Sequence, residues 1–292
     1  MAKGIKELRL RIRSIRNTKK ITRAMEMVSA AKLRRTQGLM EAARPFARKL
    51  EMLLGRLALS PKARQHHLFE KRDTAQLPVL YVLFTSDRGL CGAFNANLIK
   101  TAERALRQNP DALLYCVGRK SRDHFRKRLG DRVIGQLIDL GGKLDGATTD
   151  GIANKLLELW NDKRVSEINI IAPHFISTAA NRPQVSRYLP LEAEAFGLTP
   201  EEAEHPIDYL LEPTPERVFD ALLPRYLRSK IYLTLAETFT SEHASRMLAM
   251  NNATKNCDEL GSQLTLQMNK ARQAAITTEI VEIVSGAEAL NG

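Results

Sequence analysis

Heptad spacing at both ends of the chain constrains the fold more than any other feature. From Ile5 the apolar positions advance by three and four residues, through Leu8, Ile12 and Ile15, and again through Leu33, Met40, Ala43, Ala47, Leu50, Leu54 and Leu57. That spacing is the signature of a coiled-coil helix. A helix over residues 3–58 would be roughly 80 Å long at 1.5 Å per residue, and Pro45 is expected to bend it. In the gap the same frame falls on Lys19, Thr22, Glu26 and Ser29, while Ile21, Met25 and Val28 form a stripe displaced around the helix. Here the helix is expected to face two neighbours.

The C-terminal part reads the same way. From about residue 216 to 285 there is no strand-like alternation and helix formers dominate, with Pro224 and Gly261 as the strong breakers, so a helix of roughly 100 Å is expected. Its predicted seam is Leu260, Leu264, Gln267, Ala271, Ala274, Thr278 and Val281. Small and polar seam residues permit close approach but bury little apolar area, so such a pair needs outside support.

Between the helices the pattern changes. LPVLYVLF (77–84), ALLYCVG (112–118), RVIGQLI (132–138) and VSEINIIAP (165–173) are short apolar runs interleaved with helix-like stretches. This alternation predicts a mostly parallel sheet covered by helices. QVSRYLPL and IDYLLEP read as further strands, and residues 59–76 and 190–206 read as polar or loop-rich connections. The fold class is therefore α/β: a long antiparallel coiled coil of N- and C-terminal helices (1–58 and 214–292) plus a central α/β domain (59–213) with a mostly parallel sheet.

Charge narrows the function classes. The net charge is +12, and residues 1–50 hold fifteen Lys and Arg against only Glu7, Glu26 and Glu41, so the remaining 242 residues balance. A basic helix meets something negative. A nucleic-acid-binding coiled-coil protein is the alternative function on this ground, although the charges alternate with an apolar seam and no DNA- or RNA-binding motif is visible. A transit peptide would not carry a heptad pattern past residue 50, and a membrane-surface helix needs a wider apolar face. No apolar run is long enough to span a bilayer and no secretory signal opens the chain, so a soluble intracellular protein is expected. Cys91, Cys116 and Cys257 are far apart, and the histidines, including adjacent His66 and His67, show no metal-ligand spacing; neither disulfide nor metal site is expected.

The turn SDRGLCGAFN (86–95) is the one stretch with the look of an active site. It lacks the Lys and hydroxyl of a phosphate loop, and Gly89 and Gly92 give GxxG rather than the dinucleotide fingerprint. Cys91 could act as a nucleophile only with a base that the sequence does not identify. The simpler reading is a tight turn allowed by Gly89 and Gly92, capped by Asp87 or Asn95, with Cys91 as buried filler.

NTKKITRAMEMVSAAKLRR (17–35), SDRGLCGAFN (86–95), DYLLEP (208–213), SEHASRMLAMNNATKN (241–256) and NKARQAAITTEIVEIVSGAEAL (269–290) closely resemble the gamma subunits of F-type ATP synthases, colinearly and nearly end to end. The resemblance implies a non-catalytic rotor shaft without a cofactor. Its partners would be alpha and beta subunits around the paired helices, with the epsilon subunit and the c-ring at the head. By the family pattern Met25, Arg272 and Gln273 contact the beta subunits, with Thr277 and Glu282 nearby. The displaced Ile21, Met25 and Val28 stripe would also face the alpha and beta subunits, and Tyr209 and Glu212 would touch the c-ring. Pro224 and Cys257 depart from the pattern, Pro224 putting an unbroken C-terminal helix in doubt. No inserted cysteine segment of the light-regulated chloroplast type is present. The resemblance is to bacterial forms and implies a peripheral place on the cytoplasmic face of the cell membrane.

Overall fold

The computed structural model describes residues 2–58, 65–142, 144–192, 196 and 211–291. Helix α1 runs over Ala2–Leu57. It is followed by β1 (Val79–Phe84), α2 (Phe94–Gln108), β2 (Leu113–Val117), α3 (Arg119–Leu129), β3 (Val133–Leu137), α4 (Gly146–Asn161), β4 (Glu167–Ser177), β5 (Ala180–Leu189) and a second long helix, α5, over Pro215–Asn291. The chain divides into two compact units. One comprises Met1–Ala30 and Arg246–Gly292, the other Ala31–Ser245.

In the larger unit the sheet order is β3-β2-β1-β4-β5. β1 pairs in parallel with β2 and β4, and β2 with β3, while β5 closes one edge antiparallel to β4. All six residues of β1 are buried, as expected of a central parallel strand covered on both faces. The pleat divides its side chains. Leu80, Val82 and Phe84 join one core with α4, the end of α1 and the start of α5, whereas Val79, Tyr81 and Leu83 join a second core with α2 and α3. Leu50, Leu54 and Leu57 of α1 lie in the first core beside Phe219, Leu223, Leu227 and Leu235 of α5. The long helices therefore form part of the head's own interior. Polar links reinforce the layer: Arg44 Nη2 donates to Glu237 Oε1 at 3.2 Å, and His174 Nδ1 lies 3.4 Å from the other oxygen of that carboxylate.

Several expectations are corrected. α5 is continuous through Pro224. Proline removes one helical donor and leaves the Asp220 carbonyl without its bond; both residues are exposed, so solvent can satisfy that oxygen. α1 also runs on as helix through Pro45, which does not bear on the bend expected there. The strand expected at IDYLLEP falls largely on 207–210, outside the described residues, and Leu211–Pro213 is not strand. The connection after α1 is no mere polar linker. Leu68 is buried, its carbonyl accepts from Leu191 N, Trp160 Nε1 donates to the His67 carbonyl, and Arg72 stacks 3.8 Å from the Trp160 ring centroid while donating to the Trp160 and Val165 carbonyls.

The SDRGLCGAFN turn lies at the C-terminal ends of the parallel strands. Asp87 Oδ1 accepts from the backbone N–H of Arg119 at 2.9 Å and of Asp139 at 3.1 Å, so one carboxylate ties together the loops after β1, β2 and β3. Asn95 Oδ1 accepts from Ser86 N. The left-handed residues of the turn are Leu90 and Gly92, at φ 61° and 58°, and not Gly89. Cys91 is buried 3.1 Å from Asn95 Nδ2, and burial pushes the Cys116 thiol up to about 11. No described helix is long and apolar enough to cross a membrane.

Leu54 is fully buried where α1 enters the core. Leu54→Ala should lower the unfolding free energy by about 2–5 kcal/mol, read as a fall in the urea midpoint. Gly118 sits at φ 98° with Thr85 O only 2.2 Å from where a Cβ would stand. Gly118→Ala should therefore be at least as damaging, whereas a surface change such as Arg107→Ala should stay within about 0.5 kcal/mol.

Candidate interaction surfaces

In the smaller unit α1 and α5 pair antiparallel, and the α1 seam follows the predicted frame. Ile12, Thr22 and Ser29 are buried, with Ile5, Leu8, Ile15, Lys19 and Glu26 partly covered. The α5 seam departs from the prediction. Its frame is Met250, Thr254, Cys257, Gly261, Leu264, Met268, Ala271, Ala275 and Thr278, buried or half-buried and stepping four and three, with Asn251, Ala253, Thr265 and Asn269 half-buried beside it. Leu264, Ala271 and Thr278 belong to the predicted set, while Leu260, Gln267, Ala274 and Val281 are exposed. The two frames part at Leu260 or Gly261, Gln267 or Met268 and Ala274 or Ala275. Gly261 lies against Ile15, where an added Cβ would stand at ordinary contact distance, 3.8 Å from Ile15 Cγ2. Cys257, odd by family pattern, is a small buried residue of the same seam.

Where the seam turns polar it is paired across the helices. Thr22 Oγ1 and Thr254 Oγ1 lie 2.8 Å apart, Asn251 Nδ2 donates to Glu26 Oε1 at 2.9 Å, and Lys19 Nζ pairs with Asp258 at 2.5 Å. These contacts fix one register, since a one-turn slip would separate all three pairs, but they add little apolar burial.

The stripe displaced from the seam is open. Ile21 and Val28 are 61% and 57% exposed, Met27 is exposed with them, and Met25 is half-buried. On α5, Arg272, Gln273, Thr277 and Glu282 are all exposed, and Thr277 Oγ1 donates to the Gln273 carbonyl. Sequence reasoning named the polar members of this segment and missed its apolar ones. Ile276, Ile280, Ile283 and Val284 are exposed, Ile283 at 71%, and the signal was present as i, i+4, i+7, i+8 spacing outside the seam frame. Glu212 is exposed in the bend before α5, and Tyr209 lies outside the described residues. Bulky apolar side chains on two helices, left uncovered by the chain itself, mark surfaces built for protein partners.

The paired threonines can be tested as a unit. Thr22→Val or Thr254→Val alone should cost no more than about 1 kcal/mol, because the remaining hydroxyl loses its partner across the seam but keeps its bond to the Lys19 or Met250 carbonyl, and the double replacement should cost less than the sum of the two. Thermal melts of the four proteins followed by circular dichroism would show it.

Comparison with known proteins agrees with this architecture. The family model described as ATP synthase matches residues 4–290. The chain is 42% identical over 294 residues to the ATP synthase gamma chain of Symbiobacterium thermophilum, covering 100% of both proteins. It is 44% identical over 287 residues to that of Moorella thermoacetica, covering 98% of this chain and 99% of the relative. Among solved structures, a chain in the central stalk and c-ring of the Tetrahymena thermophila mitochondrial ATP synthase matches with TM-score 0.60 and 26% identity, over 80% of this chain and 99% of that one. With its whole length matched in sequence and its two long terminal helices flanking a five-stranded α/β head, the chain belongs to the ATP synthase gamma-chain family, the non-catalytic central-stalk rotors of F-type ATP synthases.

Proposed function

We propose that this chain transmits torque between a membrane-embedded c-ring and the catalytic beta subunits, through contacts made by the exposed stripes of its two terminal helices. The observation that carries the reading is the uncovered apolar surface at Ile21 and Val28 of α1 and at Ile276, Ile280, Ile283 and Val284 of α5. A lone coiled coil with a polar, small-residue seam gains little from leaving such groups in water. A sleeve of alpha and beta subunits around the helices would cover them and supply the cohesion that the seam lacks.

Within that arrangement Met25, Arg272, Gln273, Thr277 and Glu282 are the polar and half-buried members of the same surfaces. Basic residues of the first helix that the chain does not pair itself, as it pairs Lys19 with Asp258 and Arg44 with Glu237, would face acidic groups of the sleeve. Because the stripes occupy only part of each helix's circumference, the shaft presents a different face to each catalytic subunit. Rotation then changes which beta subunit meets which face, and differential contact shifts each between closed and open conformations. The head would meet the c-ring through the segment holding Tyr209 and Glu212, with the epsilon subunit beside it, so that the chain is peripheral to the membrane on its cytoplasmic face. Bond making and breaking on ATP would belong to the beta subunits. Its tight, satisfied hydrogen bonds fit the SDRGLCGAFN turn to holding the sheet's loops rather than to chemistry.

The reading separates folding from coupling. Val28→Lys and Ile280→Lys place charge on exposed positions, so the unfolding free energy of the isolated chain should change by no more than about 0.5 kcal/mol. In the assembled enzyme the same substitutions, and Met25→Lys, would bury an unpaired charge against the sleeve. ATP-driven proton pumping in vesicles should then fall further than ATP hydrolysis. Failure of the wild-type chain to restore coupled activity to an alpha and beta mixture lacking a gamma chain would contradict the assignment itself.

A further inference from the structure

The overall balance of charge after residue 50 conceals a second basic region. Between Phe94 and Arg132 there are ten Lys and Arg and only four acidic residues, and the two helices of this segment, α2 and α3, pack side by side on one face of the sheet. Lys100, Arg104 and Arg107 recur at helical spacing on α2; Lys120, His124, Lys127 and Arg128 do so on α3. Glu103 sits among them, 2.8 Å from His124 Nε2, 2.9 Å from Arg128 Nη1 and 4.0 Å from Arg107 Nη2. One carboxylate thus serves three basic groups. Among the described residues Lys100, Arg104, Lys120, Arg126 and Lys127 have no carboxylate within ion-pair distance.

The helices α2 and α3 carry no large exposed apolar side chain; exposed Leu90 lies in the turn before α2, next to Gly89, where an added Cβ would stand 3.9 Å from Lys120 Cε. Every bulky exposed hydrophobic residue of the described chain lies outside 94–132. Lasting protein interfaces are built round a desolvated apolar or aromatic centre, and the exposed stripes of α1 and α5 have that character whereas α2 and α3 do not. A surface with charge and no apolar centre is suited to a partner that offers many phosphates and no fixed shape.

We propose that the outer face of α2 and α3 is a docking surface for anionic lipid headgroups, centred on the exposed Lys100, Arg104 and Lys127, with half-buried Lys120 at its rim. Basic side chains are drawn to an anionic leaflet within about a Debye length, roughly 10 Å. The attraction does not depend on azimuth, because a fluid layer of headgroups presents the same field whichever way the head points. A head that turns could therefore keep this contact, where a fixed protein site would have to break it at every step. The proposal relies on the rotor reading only for bringing the head close to a membrane; lipid binding by the chain is measurable without it.

The test is co-sedimentation of the full-length chain with phosphatidylcholine vesicles, with and without phosphatidylglycerol, at low and raised salt. Wild type, Lys100→Gln/Lys127→Gln and a charge-matched control on α1, Lys6→Gln/Arg13→Gln, would be compared, with thermal melts showing that all three fold. Binding should require phosphatidylglycerol, weaken with salt, and fall about 25-fold in the head variant, with a smaller loss in the α1 control. Three results would overturn the proposal: binding indifferent to phosphatidylglycerol, loss confined to the α1 control, or no vesicle binding by a chain that holds duplex DNA or an acidic polypeptide through Lys100 and Lys127. If the vesicle result holds while reconstitution of coupled activity fails, the lipid surface stands and the rotor reading does not.

Discussion

A single three-four frame runs the length of α1, and the character of its residues decides what each part of the helix can do. Near the end of the helix the frame is Ala47, Leu50, Leu54 and Leu57, all buried, the three leucines with the sheet's own core. Each large side chain there is worth about 1.5–3 kcal/mol of transfer free energy, so this segment is fixed by apolar burial. Over residues 19–29 the frame is Lys, Thr, Glu and Ser, and the helix is held to α5 by hydrogen bonds and an ion pair. Such contacts specify register at small net gain. Bulky Ile21 and Val28 lie off the frame and face outward. The weak seam and the open stripe are two aspects of one allocation of residues, and each is reasonable only when something else surrounds the helices.

Much of this was legible in the residues. The α1 frame, the parallel strands and the order helix, head, helix follow from periodicity alone, because apolar spacing reports directly on which side of an element is buried. The α5 frame was misread for a physical reason. The predicted and observed frames share Leu264, Ala271 and Thr278 and part at the neighbouring pairs Leu260 or Gly261, Gln267 or Met268 and Ala274 or Ala275; where both members of a pair are small, as with Ala274 and Ala275, hydrophobic spacing does not choose between them. Continuity through Pro224 was equally illegible, since the cost of a helical proline depends on whether the freed carbonyl faces solvent. The role of Asp87, which joins three loops far apart in sequence, needs the fold to exist before it can be seen.

Charge behaved differently from hydrophobicity as a guide. The excess in the first fifty residues is obvious in a tally by segment, whereas the basic face of α2 and α3 disappears in one, because acidic residues elsewhere in the head cancel it. Only the packing of those two helices against one sheet face gathers their lysines and arginines into a single surface. The contrast between those two helices, charged and without exposed bulky apolar groups, and the stripes of α1 and α5 separates two kinds of contact within one chain.

The central claim is that the exposed stripes of α1 and α5 are covered by alpha and beta subunits in the working enzyme. Single cysteines placed at Val28 and Ile280 can be labelled with a maleimide, the three native thiols being buried. Both cysteines should react quickly in the isolated chain and be strongly protected once it is assembled with alpha and beta subunits; equal labelling rates before and after assembly would contradict the account.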